Sequence, residues 1–354
     1  MKLLLIRMLG LGDVAAIAIP AARILRRHYP QAELHVLTYA AGGELMALVE
    51  QVDKVITVPA SAWPNDLEPG LNSFAAIAND IVATGYDLVY NLDTWFLPCF
   101  LARLLRDSGM RLRGNYLQCS TRELLEQVRG GTLTQEYASW PKHYLRSTFA
   151  NMHVWTNTAW WQTYPNAGAY PQFYLQHCCG FRQHLDMRLP IGADPQLRAE
   201  AANRPIIALA ASARTRNRQY PHAQALTKLL TDAGCLVWSQ FDGSLPLPQS
   251  LARLRVSDLL ISVASAPQWL AATVDCPTLL IPGPVPPQVL QAQLTVAAHL
   301  DCQFCLQENC VADRDFACMN VPPEQIAAQA LTFVHNICSP AAGGLYIIPA
   351  GRAD

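Results

Sequence analysis

The sequence predicts an α/β protein built from two Rossmann-like halves facing a central cleft. Short apolar segments of strand length alternate with segments of helical apolar spacing, first over residues 2–107 and again from Pro205 to 337. The strand segments are continuously apolar, as expected of parallel strands covered on both faces. At 354 residues the chain has room for two domains of ordinary size.

In the first half, residues 2–8 read as a buried strand and Gly10-Leu11-Gly12-Asp13 as a tight turn. Helical spacing then runs from Val14 to His28 and stops before Pro30. Strands are expected at 33–38, 54–58 and 86–91, with helices at 44–50, 72–84 and 96–107. The rhythm breaks over 115–203, where 138–174 is rich in Trp, Tyr, His, Asn and Pro. That stretch fits a binding surface or a linker with its own small core. In the second half, strands are expected at 206–210, 235–238, 258–263 and 277–282. Helices are expected at 222–233, 247–254, 267–274 and 323–337, the last opened by Pro322-Pro323-Glu324. The expected division is a first half over 1–190, a second over 204–325 and a closing helix at 323–337.

Composition excludes some function classes. Hydrophobic residues make up 51% and charged residues 15%, which argues against a disordered chain. Lys and Arg total 26 against 27 Asp and Glu, so there is no basic excess for nucleic acid. No apolar run reaches spanning length. Met1-Lys2 and the Leu3–Ile6 run imitate a signal peptide, but Arg7 and Asp13 interrupt it and a buried first strand is the better reading. A cytoplasmic protein is expected, and the eleven cysteines read as free thiols or metal ligands rather than disulfides.

Four motifs are candidates for chemistry. Gly10 and Gly12 let the backbone turn closely before a helix start, which favours anions, while Asp13 is a candidate catalytic carboxylate or a plain helix N-cap. Cys302, Cys305, Cys310 and Cys318 are spaced C-x2-C-x4-C-x7-C, a pattern able to wrap one tetrahedral zinc or iron in a structural role. Ser212, Arg214, Arg216 and Arg218 follow a strand end, where arginines match phosphate oxygens. Ser265 and Ala266 are small residues at another strand end, suited to a ligand or a turn. The open-sheet rule puts ligands at the carboxyl ends of the strands, so the cleft between the halves is the expected site.

Together these residues resemble glycosyltransferase family 9, the lipopolysaccharide heptosyltransferases. The match is carried by Lys2–Arg7 followed by Leu11-Gly12-Asp13-Val14, by Pro20-Ala21, Tyr29-Pro30, Val52–Ile56 and Tyr86–Val89, and by Gly283-Pro284, Cys318-Met319 and Pro322-Pro323-Glu324. The resemblance implies a GT-B fold and transfer of a heptose, with inversion, from ADP-heptose to a cell-envelope glycan such as the lipopolysaccharide core. It implies Asp13 as catalytic base, and a donor site at Ser212, Arg214, Arg218, Tyr220, Ser265 and Ala266. It implies no metal on the donor phosphates. Some relatives act on protein acceptors and hold iron in a four-cysteine knuckle, so a protein acceptor and contact with the inner face of the membrane belong to the same expectation. Where the family carries Asp-Ser/Thr-Gly and a nearby His, this chain reads Ala264-Ser265-Ala266 and Trp269. A degenerate member that binds without turnover is the alternative.

Overall fold

The computed structural model describes residues 1–8, 10–59, 67–156, 159–310 and 312–338. In the first half, β1 (Lys2–Ile6) leads into a continuous helical run, α1, over 11–28. Its second turn, Val14–Ala18, is π-helical and precedes Pro20, which has no N–H to give one turn back. Then follow β2 (Glu33–Tyr39), α2 (Ala40–Met46), β3 (Lys54–Val58), α3 (Leu67–Thr84), β4 (Leu88–Asn91), α4 (Phe96–Asp107) and β5 (Leu112–Leu117). α5 (Thr121–Arg129) opens on a capping box between Ser120 and Glu123. Two short helical turns and β6 (Leu145–Ser147) complete a sheet of order β3-β2-β1-β4-β5-β6, parallel except for β6 at one edge.

Part of the aromatic stretch is core: Met152, Trp160, Phe173, Tyr174 and Leu175 are buried in the cluster that contains α1. Trp160 stacks on Phe173 with centroids 3.9 Å apart, and Phe173, Tyr174 and Leu175 are fully buried. They cover the α1 face of the first sheet, where Ile17, Ala21 and Leu25 meet them. No strand is expected from the sequence at 112–117, yet β5 forms there. Leu112–Leu117 carries an Arg, a Gly and an Asn, and its place in the sheet comes from hydrogen bonding to β4 rather than an apolar run.

α6 (Pro195–Ala201), capped by the Asp194 carboxylate, leads into the second half. There β7 (Ile206–Ala210), α7 (Ala223–Asp232), β8 (Leu236–Trp238), α8 (Leu247–Val256), β9 (Leu259–Val263), α9 (Ala266–Thr273), β10 (Thr278–Ile281) and β11 (Leu294–Thr295) build a parallel sheet of order β11-β10-β9-β7-β8. The closing helix α10 (Pro323–Cys338) packs Ile326, Ala327, Ala330 and Val334 onto β7, β9 and β10, so it belongs to the second half's core.

One apolar cluster crosses between the halves, from α1 through Leu185 and Leu189 to Leu251, Trp269 and Leu270. The Leu189 N–H donates to the Thr273 carbonyl at 2.7 Å along the same seam. Among the described residues no helix is long and apolar enough to cross a membrane.

The β4–β5 pairing yields a test. Gly114 has φ +111°, and a Cβ there would stand 2.1 Å from the Asn91 carbonyl oxygen. Gly114→Ala is expected to cost on the order of 3 kcal/mol, combining left-handed strain with a backbone clash. Chemical denaturation would measure it, and an unchanged midpoint would contradict the pairing.

Candidate active site

The carboxyl ends of β1 and β4 converge on Arg7. This side chain is 3% exposed, yet it carries a charge. Its Nη2 lies 2.8 Å from Asp13 Oδ2 and donates to the Tyr170 hydroxyl at 3.0 Å. Its Nη1 donates to the Leu92 carbonyl at 2.6 Å and lies 3.6 Å from Asp93 Oδ1. Burial alone would lower the Arg7 pKa; Tyr170, Asp13, Asp93 and Tyr174 together outweigh burial and raise it, so the cation persists. Asp93 is fully buried and its Oδ2 accepts the Met8 N–H at 2.6 Å. Asn91 and Asn115 bond to the surrounding backbone, and the Tyr174 hydroxyl donates to the Leu92 carbonyl at 2.7 Å.

Asp13 lies in the first turn of α1, where the helix dipole favours an anion. Its side chain makes no capping bond, so the N-cap reading is corrected: Gly10 holds the cap position, with φ +81°. The Tyr170 hydroxyl bonds to Asp13 as well as Arg7, and Asp13 remains 32% exposed at the mouth of this network. The trio of one cation and two carboxylates leaves a net negative charge, and Asp13 carries it toward the cleft.

Gly12 brings the second half to this point. A Cβ on Gly12 would lie 2.8 Å from Trp269 Cδ1 and 3.1 Å from the Ala266 Cα. Trp269 also packs edge-on against Tyr170, with centroids 6.1 Å apart. Ser265 caps α9 in an extended conformation, and its hydroxyl lies 3.4 Å from the Val263 carbonyl. Two residues before Ala266, the Ala264 carbonyl accepts Arg218 Nη1 at 3.1 Å, and Arg218 Nε reaches Thr215 Oγ1 at 3.3 Å. Arg218 is half-buried and has no carboxylate within ion-pair distance among the described residues. Burial lowers its pKa, with Glu308 opposing and Arg214 adding to the shift.

The structure thus brings Gly12, Asp13, Ser265, Ala266 and Arg218 into one chain of contacts across the two halves. Ser212 and Arg214 are exposed on the same loop as Arg218. Tyr220 stands apart: it is buried in the second core and its hydroxyl donates to the Val321 carbonyl at 2.9 Å. Sequence reasoning missed Asp93, Tyr170 and Tyr174, and took Arg7 as a break in an apolar run and as part of the Lys2–Arg7 family match, without a role at the site. A charged residue at a strand's carboxyl end was the available signal for Arg7 and Asp93.

Cys302, Cys305, Cys310 and Cys318 line one cavity of about 20 Å³, room for roughly one water-sized occupant. Cys310 accepts backbone N–H groups of Phe316, Arg314 and Ala312, which lower its pKa. Burial, reinforced by the other three cysteines, pushes Cys318 up to about 11. Among the described residues, no three His, Cys, Asp or Glu side chains already have the spacing of a metal ligand set.

The Arg7 network makes a stability prediction. Arg7→Met is expected to cost on the order of 3–5 kcal/mol by stranding the buried Asp93 carboxylate. Adding Asp93→Asn should recover part of that loss. Urea melts would measure both, and equal losses in the single and double variants would show that the two charges are not coupled.

No protein-family model and no curated protein matches this sequence. Solved structures do match its fold. A glycosyl transferase family 9 structure from Veillonella parvula has 14% identity and a TM-score of 0.61, covering 95% of this chain and 97% of that one. The E. coli ADP-heptose lps heptosyltransferase II has 15% identity and a TM-score of 0.59, covering 96% and 100%. The iron-containing dodecameric glycosyltransferase TibC of enterotoxigenic E. coli has 14% identity and a TM-score of 0.55, covering 96% and 77%. The two parallel sheets and the seam between them are therefore the GT-B fold of these family 9 glycosyltransferases.

Proposed function

We propose that the chain is an inverting glycosyltransferase that moves a heptose or similar sugar from a nucleotide-sugar donor, ADP-heptose, to a hydroxyl of a cell-envelope glycan such as the lipopolysaccharide core. One observation carries this reading. A carboxylate at the carboxyl edge of the first sheet and an arginine free of carboxylate partners at that of the second are joined through Gly12 and the Ala264–Ala266 segment. In this reading Asp13 takes the proton from the acceptor hydroxyl as its oxygen bonds to the anomeric carbon. The bond from that carbon to the nucleoside diphosphate breaks, and Arg218, with Arg214, receives the charge on the departing diphosphate. The fold neighbours support the donor class: one is named an ADP-heptose heptosyltransferase and another was solved with ADP.

Ala266 and Trp269 favour a second reading. α9 presents no carboxylate and no His to the donor side, and Trp269 packs on Gly12. A family-like protein that binds a sugar nucleotide without turnover would be built this way. Calorimetry with ADP-heptose, ADP, UDP and GDP, followed by turnover assays, separates the two. Under the transferase reading, ADP-heptose binds selectively and Asp13→Ala loses on the order of 100-fold or more in kcat/KM. Binding without turnover in the wild-type chain would establish the second reading, and full turnover in Asp13→Ala would remove Asp13 from the base role.

We also propose that the four cysteines close on one structural zinc or iron. Four thiols on a single small cavity are the right donor set, and one fold neighbour is described as iron-containing. When bound, the ion would crosslink the loop, and four thiolates would leave no open position for substrate. Elemental analysis of the purified protein should find about one ion per chain. Four freely alkylated thiols and no metal would refute this.

A further inference from the structure

The cysteine-rich loop and the arginine loop are bonded together along their length. Asn217 is buried and donates its Nδ2 to the Gln307 carbonyl at 2.9 Å. The Arg216 guanidinium meets Asp315 at 2.7 Å and lies over the Phe316 ring at 5.5 Å. His222 meets Asn320 Oδ1 at 2.5 Å, and the Tyr220 hydroxyl bonds to Val321. Behind Asn217 there is no slack: a Cβ on Gly283 would stand 2.3 Å from Met319 Sδ and 3.4 Å from the Asn217 carbonyl oxygen.

These contacts are unequal. The Arg216–Asp315 pair is largely exposed on both sides, and such pairs contribute little. Asn217 is buried, and its part-buried bond to Gln307 joins it to the cysteine-rich loop, so losing it removes that link from the inner side of the arginine loop. Asn217 is also the residue immediately before Arg218, whose own bonds go to Thr215 and Ala264. The cysteine-rich loop therefore reaches Arg218 through the backbone that Asn217 fixes.

We propose that Asn217 is a positioning residue that pins the arginine loop to the cysteine-rich loop, so that the fold of residues 301–318 sets where Arg218 meets a diphosphate. This rests on the donor-site reading above. It adds that the cysteine loop acts on anion binding without touching the anion.

The test uses the full-length chain, with ADP and inorganic pyrophosphate as probes in calorimetry and hydrogen exchange as the structural readout. Asn217→Leu keeps the bulk and removes the donor; Cys302→Ser/Cys318→Ser disturbs the cysteine loop from the far side. Both are expected to weaken ADP and pyrophosphate binding up to about tenfold, the scale of one hydrogen bond. Both should speed exchange over 212–219 while leaving peptides of α1 unchanged. Where turnover is measured, kcat/KM for the donor should fall by a similar factor. Exchange over 212–219 that stays at the wild-type rate in both variants would overturn the tether. Exchange that rises throughout the chain would reduce it to general destabilisation and overturn it too. A wild-type chain that binds neither probe would overturn the donor-site reading, and the anion role of Asn217 with it, whatever the exchange shows.

Discussion

Arg7 is a cation removed from water at the end of a central strand, and the carboxyl edge of the first sheet is organised around that fact. Isolated, such a charge would cost several kcal/mol or more to bury. It persists because Asp93 and Asp13 supply opposite charge while the Leu92 carbonyl and the Tyr170 hydroxyl accept its protons. The solution draws on four separated stretches of chain, and each partner is fixed in turn. Asp93 holds the Met8 amide, Asn115 holds the Asp93 carbonyl, and Tyr174 holds Leu92. Asp13 is the only member of the cation's carboxylate pair that reaches solvent. The Asp13 carboxylate is thereby paired on its inner side and open to solvent on its outer side.

The seam between the halves is tightest where that carboxylate sits. Gly12 lets α1 and α9 approach within a distance at which even a methyl group would meet Ala266 backbone. Small residues are needed on both sides, which gives Ala266 a packing reason independent of any ligand. Trp269 seals the approach and extends the shared apolar cluster from one half into the other. A charged or imidazole side chain in its place would sit among Gly12, Tyr170 and Leu270 and would need partners there. Ala266 and Trp269 together make an apolar contact against Gly12. α9 itself, Ala266–Thr273, carries no carboxylate and no imidazole.

The sequence made the strands β1 to β4 and β7 to β10 legible because their apolar runs are uninterrupted. It failed where structure rests on backbone contacts. Helix α2 was expected at 44–50 and spans Ala40–Met46, because Gly42 and Gly43 read as breakers. In the fold they are what lets the helix lie on β2 and β3, with Thr38 and Thr57 occupying the space of their missing Cβ atoms. α3 begins five residues before its expected start at 72, where Gly70 sits against Leu97 for the same reason. For the site, Asp13 and Arg218 were visible because each follows a strand end. Tyr170 and Tyr174 were not, since nothing in an aromatic-rich stretch says which hydroxyl will face a buried arginine 163 positions away.

The cysteine-rich loop carries most of the left-handed backbone outside glycine. Of the eight described non-glycine residues with positive φ, six lie between His299 and Phe316. Left-handed backbone costs an L-residue about 1 kcal/mol or more at each position. A segment carrying that much strain, with little regular structure, must be held by something outside its own backbone. Part of the restraint is visible: the Leu306 amide bonds to the Pro284 carbonyl and Gln303 to the Gly283 carbonyl. On the proposal that the four thiols hold one ion, that crosslink would supply the rest of the restraint. The same loop is bonded to the arginine loop through Arg216 and Asn217, so what restrains the cysteine-rich loop also restrains the backbone that leads into Arg218.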